Sequence, residues 1–351
     1  MNIVHFLDHK LEENLGGVEK FTAEWTPLSR HKHTILGASD FALPKRHKLS
    51  SLIFHKKNLV AKIRDRIPKD SVIHIHQIVP WGFRNLIELA SHFRTGLSIH
   101  DYFLWCQKVH FLKSLEPLRN CQEAKVLKCS YCLKGLLAPV VTPFFKSRFS
   151  LMNTLLEKLE WIHCPNSELI SHLPEVFHHK VKVIPYGIAP VEVQKYPKEE
   201  NRYTYLGSFG AHKGLSNLLK MLKEIRFQGH LDIFGPAPGP QIELPHFASY
   251  RGILNDHSEL SRYQAMFCPS LWKETGPMIA LEGLLQKTPV IAHEYALNKD
   301  FSSLEGVLCY QTAQELKQRI SQTTTVRQFS TPKFHQEVAS MFDEKLYSFQ
   351  G

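Results

Sequence analysis

Residues 269–285 read Pro269-Ser270-Leu271-Trp272-Lys273-Glu274-Thr275-Gly276-Pro277-Met278-Ile279-Ala280-Leu281-Glu282-Gly283-Leu284-Leu285, and Thr288-Pro289-Val290-Ile291-Ala292 follow. The apolar run 265–268 before this stretch and the run 288–292 after it suit strands, so the segment is a strand–loop–helix–strand unit. Gly276 and Pro277 break the loop, and proline suits the first helical position, so the helix is expected to begin there. The unpaired amides of its first turn, at Met278 and Ile279, then form a cradle for an anion, with a diphosphate as the fitting ligand. Glu274 falls just before the helix and Glu282 in its second turn. A carboxylate beside a phosphate is repelled by it, so these two acids suit hydrogen bonds to sugar and ribose hydroxyls. An isolated pair of glutamates would usually be an exposed loop acid and a solvent-facing helix acid.

The same rhythm runs outward in both directions. Short apolar runs fall at 2–7, 71–76, 96–100, 161–164 and 181–184, and again at 203–206, 230–234, 265–268, 288–292 and 306–309. Amphipathic segments separate them, which implies right-handed crossovers and parallel sheets covered on both faces. The fold class is therefore α/β, with two doubly wound, Rossmann-like domains facing across a cleft. A chain of 351 residues is long enough for two such cores. The first domain spans 1–185, ending at Pro185-Tyr186-Gly187-Ile188, and the second spans 186–331 after a polar linker that reaches Arg202. From Pro332 onward, Phe334, Val338, Met341, Phe342, Leu346 and Tyr347 recur near helical spacing.

The composition, 43% hydrophobic and 22% charged, is that of a globular chain. The opening residues lack a basic leader and a cleavage site, so they read as a first strand and the expected location is cytoplasmic. The formal charge is +10: residues 1–190 hold 26 Lys and Arg against 16 Asp and Glu, whereas residues 191–351 hold 17 of each. Much of the excess lies in 45–69, where Lys56, Lys57, Lys62, Arg64 and Arg66 interleave with Leu52, Ile53, Phe54, Leu59, Val60 and Ile63. That is a basic amphipathic helix. It suits either a solvated helix packed on a sheet or attachment to an anionic membrane surface, worth about 1 kcal/mol per basic residue. No nucleic-acid-binding module accompanies the charge, so nucleic acid is not an expected partner.

Cys106, Cys121, Cys129 and Cys132 cluster in a chain with no export signal, which favours thiols over disulfides. Their closing C-x-x-C suits either a structural zinc, or less readily an iron–sulfur cluster, or four free thiols. Cys164, Cys268 and Cys309 fall in expected strands and read as small buried hydrophobes. His74 and His76 share one face of a strand and read as a packed, satisfied pair.

The stretch from Glu274 to Glu282 resembles the E-x7-E signature of retaining GT-B glycosyltransferases, specifically glycosyltransferase family 4. The likeness extends over nearly the whole chain. Gly16-Gly17-Val18-Glu19 resembles the family's glycine-rich loop, and His100-Asp101 the end of a first-domain strand. Val183-Ile184-Pro185-Tyr186-Gly187-Ile188 is similar to the interdomain turn, and Tyr205-Leu206-Gly207-Ser208-Phe209 with Lys213-Gly214 to the diphosphate loop. Leu231-Asp232-Ile233-Phe234-Gly235 matches the next strand and turn.

This resemblance implies a retaining, metal-independent hexosyltransferase that moves a sugar from a nucleotide-diphosphate sugar to a glycan or lipid-linked acceptor. Polysaccharide biosynthesis at the cell surface, peripheral to the inner face of the membrane, is the implied setting. Glu282 is expected on the ribose, Glu274 and His100 on the transferred sugar, and Lys213 on the leaving diphosphate. Gly16, Gly17, Gly207, Ser208, Gly276, Pro277, Met278 and Ile279 complete the donor contacts. No catalytic cofactor is expected; the cysteines resemble those of an insert in part of the family, and the implied zinc is structural. The resemblance also implies that the final helix, about 332–351, returns to the first domain. Ser208 departs from the family's arginine, with His212 and Arg251 as candidate replacements. That departure sustains an alternative: a catalytically degenerate protein that binds a nucleotide sugar or a partner at the membrane.

Overall fold

The computed structural model describes residues 1–9, 16–43, 58–106, 112–115, 118–121, 125, 128–130, 132, 138–236 and 243–348, with backbone alone at 112–115 and 118–120. The strands are β1 (Asn2–Leu7), β2 (Lys32–Gly37), β3 (Val72–Ile75), β4 (Arg94–Ser98), β5 (Leu112–Leu115), β6 (Leu118–Asn120), β7 (Trp161–Cys164), β8 (Val181–Val183), β9 (Glu199–Leu206), β10 (His230–Phe234), β11 (Ala248–Gly252), β12 (Tyr263–Cys268), β13 (Val290–His293) and β14 (Val307–Tyr310). Two six-stranded parallel sheets form, ordered β2-β1-β3-β4-β7-β8 and β11-β10-β9-β12-β13-β14, and β5 and β6 make an antiparallel pair. Both large sheets are doubly wound. In the first, the order reverses between β1 and β3; in the second, between β9 and β12.

The helices are α1 (Gly17–Trp25), α2 (Leu59–Arg64), α3 (Phe83–Leu89), α4 (Ala138–Lys158), α5 (Leu215–Glu224), α6 (Met278–Leu285), α7 (Lys299–Ser302), α8 (Ala313–Gln322) and α9 (His335–Lys345). The chain divides into unit 1 (Met1–Val109, Cys121–Gly187 and His335–Gly351) and unit 2 (His110–Asn120 and Ile188–Phe334). Within unit 1, α9 closes over the sheet: Phe342 stacks on Trp25 at 4.5 Å, and Asp343 accepts from the Ser29 hydroxyl at 2.6 Å and the Arg30 amide at 2.9 Å. Val338, Phe342 and Tyr347 are fully buried there; truncating a side chain such as Phe342 to alanine costs about 3–5 kcal/mol.

Several local expectations shift. Helix α6 begins at Met278, with Pro277 as its N-cap residue at ψ 77°, so the proline precedes the helix rather than opening it. Strand β9 begins at Glu199, inside the stretch expected as linker, because Arg202 pairs with both Glu199 and Asp232 and holds that polar half in the sheet. The strands β2 and β11 are edges rich in polar residues, which hid them from an apolar-run reading. Cys164 is buried, but Cys268 is half-buried and Cys309 exposed on the edge strand β14, so Cys309 is not a core residue. Among the described residues of the basic segment, Leu59, Val60 and Ile63 are buried while Lys62, Arg64 and Arg66 are exposed; residues 45–57, including Lys56 and Lys57, lie outside them. No helix among the described residues is long and apolar enough to cross a membrane.

Candidate active site

In unit 2, chemistry gathers where the strand order reverses, the place at which open α/β sheets bind ligands. Strand β9 ends at Leu206, and the chain runs through Gly207 and Ser208 to a single turn, Ala211–Lys213, then to Gly214 at φ 74°. Strand β12 ends at Cys268 and leads to Ser270 and Glu274. The two loops are clamped together: the Leu271 amide donates to His212 O at 2.8 Å, and a Cβ on Gly214 would meet Pro269 O at 1.9 Å. Only glycine allows that approach with a positive φ.

The clamp places Lys213 Nζ 2.7 Å from Glu274 Oε1, which also accepts the Ser270 hydroxyl at 2.6 Å. Trp272 lies under the ammonium at 5.5 Å. The Glu274 backbone is pinned on both sides, its amide to Ala296 O at 3.2 Å and its carbonyl by Asn298 Nδ2 at 3.0 Å. One turn into α6, Glu282 Oε2 meets His257 Nδ1 at 2.6 Å. Around the α6 N-terminus the amides of Met278 and Ala280 are bonded to the Gly276 and Pro277 carbonyls, and the Ile279 amide has no partner among the described residues. The expected anion cradle is thus narrower than the sequence suggests. Gly207 donates its amide to Phe234 O at 3.0 Å, and the Ser208 carbonyl accepts the Tyr205 hydroxyl at 2.6 Å. Arg251 is committed to Asp232 at 2.6 Å, beside Arg202 at 2.7 Å, and so is tied to an ion-pair cluster on β10. His212 rests edge-on against Trp272 at 6.0 Å.

In unit 1, a cavity of about 230 Å³ sits at the corresponding reversal, lined by Asp8, His76, Gln77, His100 and Asp101 among others. Gly16 caps α1, where a Cβ would meet Glu19 Oε2 at 2.5 Å, and Gly17 is the first residue of that helix. Glu19 in turn accepts from Gln77 at 3.1 Å. Asp101 is half-buried, and desolvation pushes its carboxyl up to about 6 against the opposing Phe103 amide and Arg148.

Two files of hydrogen bonds cross this sheet. In one, the Ile184 carbonyl can only accept, so His163 Nε2 donates to it at 2.7 Å and its Nδ1 takes the Ser98 hydroxyl at 2.7 Å. Ser98 then accepts from His74 Nε2 at 2.6 Å, and His74 Nδ1 takes the Tyr347 hydroxyl at 2.6 Å. A single carbonyl fixes both tautomers. His76 belongs to the second file, bonded to His5 and His100 at 2.8 Å each, and stacks on His74 at 4.0 Å. Both of the paired histidines are packed and satisfied.

No protein-family model and no characterised protein matches the sequence. Among solved structures, Anabaena HepE in complex with UDP and glucose matches with a TM-score of 0.62 at 12% identity, covering 99% of each chain. Sucrose-phosphate synthase from Thermosynechococcus elongatus matches at 0.61 and 14% identity, covering 97% of this chain and 94% of the other. The chain has the GT-B fold. The pneumococcal O-GlcNAc transferase GtfA, in complex with UDP and GlcNAc, matches at 0.54 and 12% identity; 84% of this chain spans 61% of that transferase's length.

On this GT-B scaffold the structure joins Lys213 to Glu274, two residues that the sequence offered separately. It adds Ser270 and His257 to the candidate set, and Tyr186 as the partner of His100 at 2.6 Å. None of these three has a signal in periodicity. Around Arg148, Cys106 and Cys129 lie close enough to act on its charge, and Cys121 acts on Cys129. Among the described residues, however, the group of His, Cys, Asp and Glu side chains with ligand atoms all within 4.8 Å is His5, His74 and His76, and the four cysteines do not form such a group.

Proposed function

We propose that this chain is a retaining hexosyltransferase that transfers a sugar from a nucleotide-diphosphate sugar to a glycan or lipid-linked acceptor. The observation that carries the reading is the Lys213–Glu274 pair at the strand reversal of unit 2, with Glu282 on the next helix. A lysine held by a carboxylate is an exchangeable cation: an arriving diphosphate takes the ammonium, and Glu274 turns to the hydroxyls of the transferred sugar. Lys213 then balances the charge that grows on the leaving diphosphate, where fixed charges have most effect. Glu282, oriented by His257, binds the ribose, and Gly207, Ser208 and the Ile279 amide face the phosphates. The proposed donor contacts in unit 1 are Gly16, Gly17 and His100.

In a same-face mechanism the leaving phosphate takes the acceptor proton, so neither a divalent ion nor a protein base is required. HepE and GtfA were solved with UDP, which favours a UDP donor. The exposed Lys62, Arg64 and Arg66 suit the anionic inner face of a membrane, consistent with cell-surface polysaccharide synthesis from the cytoplasm. Among the described residues, Cys106, Cys121, Cys129 and Cys132 do not gather as ligands, so a structural zinc would have to draw them together, and metal analysis of the purified chain tests it.

The deciding experiment measures thermal stability and donor hydrolysis against UDP, GDP, ADP and TDP sugars, with Glu282→Ala as control, since a ligand of the folded state raises stability by mass action. One donor that stabilises the chain and is hydrolysed slowly, with neither effect in the variant, supports the reading. Stabilisation without any turnover points to a degenerate binding protein, and no stabilisation by any donor overturns the proposal.

A further inference from the structure

We propose that His33, His5, His76, His100 and Tyr186 form a proton relay through unit 1, in which the four rings change tautomer together. The bonds run head to tail. His33 Nδ1 meets His5 Nε2 at 2.7 Å, His5 Nδ1 meets His76 Nε2 at 2.8 Å, His76 Nδ1 meets His100 Nε2 at 2.8 Å, and His100 Nδ1 meets the Tyr186 hydroxyl at 2.6 Å. Each ring comes from a different strand: β2, β1, and the residues just past β3 and β4. Burial depresses every one of them, His33 to about 4 and His100 to about 3, with His5 and His76 well below the ordinary imidazole value. All four are therefore neutral at neutral pH.

A neutral imidazole has one N–H and one lone pair. In a head-to-tail file, a ring that donates toward Tyr186 obliges the next to do the same, so the file has two senses. In the first, every Nδ1 carries the proton; in the second, every Nε2 does. They interconvert when a proton from solvent binds His33 Nε2, an atom closed to water that must open to receive it, each Nδ1 proton passes to the facing Nε2, and His100 protonates Tyr186 as that hydroxyl releases its own proton to solvent. The reverse carries one proton from the Tyr186 end to His33. Only N–H and O–H bonds change, and the file ends as neutral as it began.

The two ends differ. His100 and His76 line the unit 1 cavity together with Asp101. His33 is half-buried at the other end, where the charges of Asp343 and His31 act on it and its Nε2 has no hydrogen-bond partner among the described residues. An orphaned buried N–H is rarer than an under-used acceptor, so the resting sense leaves His33 Nε2 as the lone pair and puts all four protons on Nδ1. His74 and His163, anchored by the Ile184 carbonyl, carry theirs on Nε2. All six ring nitrogens of His5, His74 and His76 are engaged in these bonds, which makes that close group a hydrogen-bonded set in place of a metal site. The relay goes beyond the proposed transfer reaction and stands without it.

The test uses the full chain labelled with nitrogen-15 histidine, its tautomers read at neutral pH from long-range proton–nitrogen correlation spectra. The expected pattern is Nδ1–H at His33, His5, His76 and His100, with Nε2–H at His74 and His163. Tyr186→Phe removes the acceptor at the inner end, so the surplus N–H moves to His33 and all four rings switch to Nε2–H, while His74 and His163 do not change. In His76→Phe the file is cut: His5 Nδ1 loses its acceptor, so His5 and His33 switch to Nε2–H, while His100 keeps Nδ1–H toward Tyr186. If Tyr186→Phe does not fold, His33→Phe is read instead; there His5, His76 and His100 keep Nδ1–H. Independent tautomers, a charged ring at neutral pH, distant rings indifferent to Tyr186, or a stoichiometric metal on His5, His74 and His76 would each overturn the relay.

Discussion

Lys213 Nζ stands 2.7 Å from Glu274 Oε1, joining the loop after β9 to the loop after β12 across 61 residues of chain. The pair is the hinge of the proposed chemistry. Lys213→Met is expected to cut sugar transfer about 10²–10³-fold, as removal of a transition-state charge partner does. The loss should fall mainly on kcat, measured with the donor found in the thermal screen. An unchanged kcat with a raised KM would show that Lys213 binds the donor without stabilising the leaving group.

Glu282 meets His257 at 2.6 Å, and the proposed role is to grip ribose hydroxyls. Glu282→Ala should weaken nucleotide binding by about 1.5–3 kcal/mol, the scale of a charged hydrogen bond. His257→Ala should weaken it less, since it removes only the group that orients the carboxylate. Calorimetric titration with the nucleoside diphosphate alone distinguishes the two.

Gly214 lies at φ 74° with no room for a Cβ against Pro269 O. Gly214→Ala forces a backbone state costing about 1–3 kcal/mol, and the clash adds to it. The variant should melt lower and lose donor-induced stabilisation, because the clamp that holds Lys213 beside Glu274 opens. A melting temperature equal to the wild type would show that the clamp is dispensable.

Acid should unfold unit 1. Burial holds His100 at about 3 and His163 at about 4, against 6.5 for an unperturbed ring. Below about pH 6.5 the unfolded chain binds protons that the folded chain refuses, so stability is lost as pH falls through the window from 6.5 to 4, at about 1.4 kcal/mol per pH unit for each ring. His5, His74 and His76 act in the same direction. Asp101, raised to about 6, opposes them: between 3.8 and 6 its folded carboxyl keeps a proton that the unfolded one has lost. One carboxyl is outweighed by five rings. The fluorescence of Trp25, Trp81 and Trp161, all buried in unit 1, followed from neutral pH to about pH 4, should report the loss before circular dichroism shows unit 2 melting.

Much of the architecture was legible because parallel strands buried on both faces read as near-continuous apolar runs, as at Val290-Ile291-Ala292 of β13. The edge strands β2 and β11 were not, since a half-covered strand tolerates residues such as Lys32 and Arg251. Glu274, Glu282 and Lys213 were visible as residue types in a loop–helix context, but their partners were not.

The sequence by itself determined two doubly wound sheets and the loop that carries both glutamates, because periodicity and turn residues act over a few neighbours along the chain. Only the tertiary structure decided that Ser270 and Lys213 share Glu274, that His257 holds Glu282, and that His33, His5, His76 and His100 form one file. The Lys213–Glu274 and His5–His76 contacts arise because β9 lies beside β12 and β1 beside β3, strands that are not consecutive in the chain. A hydrogen-bond partner supplied by a neighbouring strand leaves no mark on the spacing of either residue.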